Sequence, residues 1–152
     1  DSYKVAERLN LGRRQAVEYS NLARSLERMA DHTHQMARLT IEDAGNTSLS
    51  TESVPLNQIP VWQEAIRALM INIRTKDAEE IEKARDSLKE AQNVLKEHER
   101  SLWSGRKDAP KLLFEDHISE SVRRLCAYAR DFGETLLNML THDMMVTERR
   151  DE

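Results

Sequence analysis

Between residues 81 and 102 one side of the chain is set at alternating steps of three and four: Ile81, Ala84, Leu88, Ala91, Leu95, His98 and Leu102. That is a heptad seam, and the face opposite it is rich in Glu, Lys and Arg. A segment of this period folds as a long amphipathic helix, because only a helix brings residues three and four apart onto one face. Such a helix is stable only when its seam is laid on other helices, so it commits its neighbours to the same class. Asp77 precedes it as an N-cap, and Glu80, three residues on, completes the pattern of a capping box. Ser104 and Gly105 break it.

The rest of the chain reads in the same way. The first helix is expected from about residue 2 to 44, with an apolar stripe of Val5, Leu9, Ala16, Tyr19, Ala23, Leu26, Ala30, Met36 and Ala37. Gly45 and Asn46 close it, and the polar stretch to Asn57 is the one substantial loop. A second helix spans about 58–74 with Pro60 in its first turn, where a missing N–H costs nothing. It is the most apolar segment and is expected to be the most buried. The heptad helix is the third, over about 77–103. A fourth runs over about 110–146 on a stripe of Phe114, Ile118, Val122, Leu125, Ala129, Phe132, Leu136 and Leu140. With only 4 Gly and 3 Pro and 5% aromatic residues, nothing reads as a strand. The expected fold is all-α: one domain over residues 1–152, an elongated antiparallel bundle of four helices. The chain starts at Asp1 and enters a helical pattern at once, so it is expected to be a piece of a longer one.

A net charge of -4 argues against a broad nucleic-acid footprint. No apolar run approaches the ~20 residues of a membrane span, and no signal peptide is visible, which suits a cytoplasmic protein. The single cysteine, Cys126, cannot form an intrachain disulfide and reads as a small buried helix residue.

Chemistry is most concentrated in the first helix, over Ala23-Arg24-Ser25-Leu26-Glu27-Arg28-Met29-Ala30-Asp31-His32-Thr33-His34-Gln35-Met36. Glu27, Asp31 and His34 fall in one column, expected beside the apolar stripe. Two carboxylates at i and i+4 repel unless a cation joins them, and oxygen with imidazole suits iron, zinc or manganese. The competing reading is a solvated or Arg24- and Arg28-paired acid pair, and His32, His98, His117 and His142 read equally well as satisfied polar residues. Arg13, Arg14, Arg123 and Arg124 are either salt-bridged or an anion contact. No Gly-rich phosphate loop, nucleophile elbow or Cys-x-x-Cys is present.

Leu26-Glu27-Arg28-Met29-Ala30-Asp31-His32 resembles the recurring helical signature of the PhoU family of phosphate-uptake regulators, with Gln35 where the family has Asn. A second copy, Glu120-Ser121-Val122-Arg123-Arg124-Leu125-Cys126-Ala127-Tyr128-Ala129-Arg130-Asp131-Phe132-Gly133-Glu134, is similar to the archaeal form of that signature. The resemblance implies one complete three-helix repeat preceded by the signature helix of another. It implies a non-enzymatic regulator, acting on the ATPase of a phosphate transporter or on a sensor kinase, as a homo-oligomer such as a dimer. DNA contact would come only through a further N-terminal domain.

The family binds metal clusters through an acid and an Asp four residues on. Here Glu27 and Asp31 keep that pair, but Arg123 and Ala127 replace it in the second copy, leaving Asp131 at the position of Gln35. A mononuclear or partial site of Glu27, Asp31, His34 and Asp131 is the expected remnant. Two other classes stay open: a carboxylate-bridged metal enzyme or ferritin-like store, for which only Asp31-x-x-His34 has the right form, and a phosphotransfer bundle using His32 or His34.

Overall fold

The computed structural model describes Lys4 and residues 12–43, 49–104 and 109–151, with side-chain environments as far as Met145. Four helices account for nearly all of it: α1 (Arg13–Glu42), α2 (Ile59–Thr75), α3 (Ala78–Leu102) and α4 (Ala109–Asp151). A single 3-10 turn, Leu56–Gln58, leads into α2. No strand occurs among the described residues, so the all-α bundle expected from the sequence is what forms.

The termini of the helices show the up-down-up-down order. Met36 and Leu39 near the end of α1, Ile59 at the start of α2, Leu95 late in α3 and Ile118 early in α4 meet in one apolar cluster. At the other end Lys76, just past α2, reaches Asp143 of α4. Neighbours in sequence are therefore antiparallel, as short connections between helices require.

α4 lies at the centre. It packs on α1, α2 and α3, whereas α1 packs on α4 and makes no comparable contact with α2 or α3. The heptad seam of α3 is buried as its spacing demands, at Ile81, Ala84, Leu88, Ala91, Leu95 and Leu102, and His98 is half-buried among them. The stripe expected on α4 is buried from Ile118 to Leu136, with Phe114 and Leu140 partly covered at its ends.

Three expectations are corrected. The helix expected to run unbroken from residue 2 is interrupted at Gly12, which is extended (φ -70°, ψ 161°) and donates its N–H to the Gln15 Oε1 at 3.4 Å, and α1 begins at Arg13. Val5 and Leu9 lie outside the described residues. Within α1 the seam is rotated from the expected one. Of the expected stripe Ala16 is buried and Met36 half-buried, but Tyr19, Ala23, Leu26, Ala30 and Ala37 are exposed, and the seam runs instead through Leu22, Ser25 and Met29 with His32 and Leu39 half-buried. A shift of one residue is roughly 100° of rotation, enough to exchange inside for outside. The most apolar helix, α2, is not the most buried: it lies at the edge, with Met70 and Ile71 exposed, because the central place is taken by α4.

The α2–α3 turn shows how tightly the sequence fixes local structure. Asp77 caps α3 as expected, accepting from the N–H groups of Glu79 (3.0 Å) and Glu80 (3.3 Å). The return bond expected from Glu80 is made by Asn72 instead. Its Oδ1 accepts the Asp77 N–H at 2.9 Å and the Thr75 hydroxyl at 2.8 Å, while its Nδ2 donates to the Ala68 carbonyl at 2.9 Å. Asn72 is buried, so these bonds satisfy an amide that would otherwise be costly to enclose. Lys76 between them is left-handed (φ 53°, ψ 40°), a backbone region that favours glycine.

Two substitutions test this turn by denaturant unfolding. Asn72→Ala is expected to lower stability by about 1–3 kcal/mol, since it strands polar groups of the turn. Lys76→Gly is expected to raise it by about 1 kcal/mol, because the left-handed penalty disappears and the exposed Lys76–Asp143 pair contributes little. Gly133 supplies a third test. A Cβ there would stand 2.8 Å from Arg85 Cγ and 3.2 Å from Leu69 Cδ2, so Gly133→Leu should cost about 1–3 kcal/mol through overpacking.

Candidate functional site

The two segments read from the sequence as resembling one helical signature lie on α1 and α4, and the antiparallel packing of those helices sets them face to face. The rings of His32 and Tyr128 meet at the crossing, with centroids 5.4 Å apart and planes inclined by 31°. The Arg28 guanidinium stands 5.6 Å from the centre of the Tyr128 ring, a cation–π geometry. On the other side Arg124 is close enough to His32 to depress its proton affinity.

The signature pairs Glu27 with Arg123, Asp31 with Ala127 and Gln35 with Asp131, and this one offset relates the two helices throughout. It pairs Leu22 with Ile118, Ser25 with Ser121, Met29 with Leu125 and Met36 with Phe132, every one of them turned into the bundle. It also pairs His32 with Tyr128 and Arg28 with Arg124. The contacts Arg28–Tyr128 and Arg124–His32 are thus counterparts of one another. The α1–α4 crossing is a pseudo-twofold arrangement of two related helices, centred on the His32–Tyr128 stack.

Below the stack, toward the start of α4, lies a cleft of about 300 Å³ lined by Gln35, Leu39, His117, Glu120, Ser121 and Arg124. Arg124 is paired with Glu120 one turn earlier at 2.8 Å. Arg123 turns away to α3, where its Nε and Nη2 hold the Glu99 carboxylate at 3.1 Å each, and Ser119 donates to the same carboxylate at 3.3 Å. Of the two readings of Arg123 and Arg124, the structure therefore shows salt bridges. Arg13 and Arg14 are exposed at the start of α1.

The four sequence-nominated ligands are not brought together. Glu27, Asp31 and His34 lie on the exposed side of α1, not beside its buried seam. Asp131 lies on α4, where burial and Glu134 push its carboxyl above the usual range and Arg28, Arg130 and Arg85 pull it down. Among the described residues no three His, Cys, Asp or Glu side chains are grouped to hold a metal ion.

The remaining candidates divide in the same plain way. His98 is half-buried and bonded to Glu115 at 3.0 Å, the satisfied polar role expected of it. Cys126 is fully buried, and burial pushes its thiol up to about 12, so it is inert as a nucleophile. His34 and His117 are exposed and His142 is half-buried. His32, read from the sequence as a satisfied polar residue or as one of two phosphotransfer candidates, is instead part of the buried crossing. Its signal was its register: it continues the three-four spacing of Leu22, Ser25, Met29, Met36 and Leu39. Its Nδ1 is buried without a hydrogen-bond partner among the described residues.

Burial first, and Arg124 second, hold the His32 pKa below its ordinary 6.5, against the opposing pull of Asp31 and Glu120. A histidine lowered in the fold favours the fold while neutral. Its contribution is complete above about pH 6.5 and is lost as pH falls from there through the folded value. Asp131, raised above its ordinary 3.8, acts in the opposite sense in a more acidic window. Guanidinium unfolding at pH 7.5 and 5.5 should therefore show the wild type losing stability on acidification, and His32→Gln losing measurably less. Equal losses in the two proteins would remove His32 as the cause.

Compared with protein-family models, with curated proteins and with solved structures, the chain matches none. No helix among the described residues is long and apolar enough to cross a membrane.

Proposed function

We propose that the chain is a non-enzymatic regulator of phosphate uptake, acting by protein–protein contact, of the kind its two signature segments resemble. What supports the reading is the packing of those two segments. Residues 26–32 and 120–131 lie on antiparallel helices related by one offset, and they meet at the His32–Tyr128 stack. A repeated motif that pairs with its own copy across a pseudo-twofold is a duplicated structural unit, and its retained charges are available to a partner. The partner in this reading is the ATPase of a phosphate transporter or a membrane sensor kinase, met in the cytoplasm. DNA would be reached only through a further domain.

The cleft beside His117 and Arg124, the exposed Glu27 and Asp31, and the inert thiol of Cys126 suit recognition better than turnover. In this reading no metal ion is needed for the fold, and the acids Glu27 and Asp31 belong to a contact surface.

Two measurements test the proposal. The full-length gene product, immobilised and offered the cognate transporter ATPase, is expected to retain it, and removal of the gene should derepress phosphate import under phosphate-replete growth. No retention together with unchanged import would end the reading. Elemental mass spectrometry on the purified protein and on Glu27→Ala/Asp31→Ala is expected to give the same, substoichiometric metal content. Stoichiometric iron, zinc or manganese lost in the double variant would place a metal centre on α1, against the contact-surface role given to these acids.

A further inference from the structure

The furrow between α2 and α3 is filled on one side by α4, which packs on both. Its other side is open, a groove of about 500 Å³ with no α4 residue in its lining. The floor is Ala65 and Ala68 of α2 with Ala84 and Ala91 of α3, and Val61 and Val94 add apolar surface toward the start of α2. Side chains that stop at Cβ let a further helix backbone come close. The walls carry charge of mainly one sign. Glu64 of α2 and Glu80 and Glu90 of α3 line the groove against a single base, Lys83. All four are exposed, and among the described residues none of them is in an ion pair. The pairs that α3 makes within itself, Arg85–Glu82 and Arg100–Glu97, lie outside the groove.

We propose that this groove docks an amphipathic helix of another protein, one whose narrow apolar ridge is flanked by Lys or Arg. The shape selects a helix. The α2–α3 pair already takes one, α4, in the furrow on its other side, and a groove between two helices is the form that an apolar helix ridge fills. From Glu80 to Val94 the groove runs about 21 Å at 1.5 Å per residue, room for roughly four turns of a partner. The charge selects basic flanks. An acidic partner would set like charges against three carboxylates that have one lysine among them, whereas a basic one gives each carboxylate a counter-charge.

The spacing of the acids sets the partner's pattern. Glu80 and Glu90 stand about 15 Å apart along α3, so the bases that meet them lie about three turns apart on one flank of the partner helix. Glu64 meets a base on the other flank, from the α2 side. Exposed rim charges of this kind choose and steer the partner, while the apolar ridge on the alanine floor supplies the holding contact. The inference goes beyond the phosphate-regulator reading and does not depend on it, since it uses neither signature segment, nor the cleft beside His117, nor the acids Glu27 and Asp31.

The probe is a fluorescein-labelled helical peptide of roughly five turns, with alanine and leucine at three- and four-residue steps on one face and lysines on both flanks. Its anisotropy is read as the purified 152-residue chain is added. Saturable one-to-one binding that weakens with added salt is expected. Ser87→Trp fills the groove from an exposed position, and Glu64→Lys/Glu90→Lys reverses its charge. Each should weaken binding about tenfold or more while circular dichroism stays unchanged. Glu42→Lys/Asp86→Lys makes the same change of net charge at exposed positions outside the groove, and should bind as the wild type does. No binding, or equal weakening by the groove pair and the control pair, would overturn the proposal. So would a concentration-dependent dimer in sedimentation that Ser87→Trp abolishes, which would give the groove to a second copy of the chain.

Discussion

Burial of α4 on two adjoining faces is the constraint from which the rest of the bundle follows. One face, with Ile118, Leu125 and Phe132, receives α1; the other, with Val122, Cys126 and Ala129, receives the α2–α3 pair. A helix in that position has little circumference left for solvent, and polar groups that enter it must be satisfied locally. Ser119 does so through Glu99, and Thr135 by bonding back to the Asp131 carbonyl at 3.1 Å. At Gly133 the absence of a side chain leaves room for the Arg85 side chain of α3. α2, although richer in large apolar residues, is held at the edge and leaves part of its surface outward.

The crossing of α1 and α4 then fixes where chemistry could reside. Because the two signature segments are related by one offset and run antiparallel, each signature residue is presented to the matching region of the other helix. Residues near the axis, His32 and Tyr128, touch each other; residues on the outer flank, Glu27 and Asp31, do not reach across. The same geometry that brings the motifs together thus keeps their acids apart. In the second segment Arg123 and Ala127 stand at the positions that Glu27 and Asp31 hold in the first. Arg123 is recruited into a half-buried ion pair that ties α4 to α3. A buried pair of this kind gives little net stability, but it is costly to break on one side only.

The elements were legible in the sequence wherever hydrophobicity and period agreed. The seam of α3 sets Leu or Ile among Ala against a largely charged opposite face, and its apolar positions fell where the heptad put them. The stripe of α4 from Ile118 to Leu136 was equally plain. α1 was misread because two apolar stripes lie side by side on it. The one that is buried includes Ser25 and His32, while the one that is exposed includes three alanines, a leucine and a tyrosine. Hydrophobicity alone prefers the second; contact with α4 selects the first. The same error carried the nominated ligands to the wrong side of the helix, since a column placed beside the false stripe is placed away from the true one. The role of Asn72 was also out of reach, because its bond to Asp77 depends on how the chain folds back after Thr75 and not on capping spacing.

Cys126 has a practical side. Its sulfur is enclosed in the core and stays protonated across the range in which thiols are ordinarily modified. The natural chain therefore behaves toward labelling reagents as though it had no cysteine at all. A new cysteine placed at any exposed position becomes the single reactive thiol of the molecule, without removal of the native one and without the cavity that such removal would leave in α4. Spin or fluorescent probes can thus be set one at a time along α1 and α4, and distances between and within molecules read in an otherwise unaltered bundle.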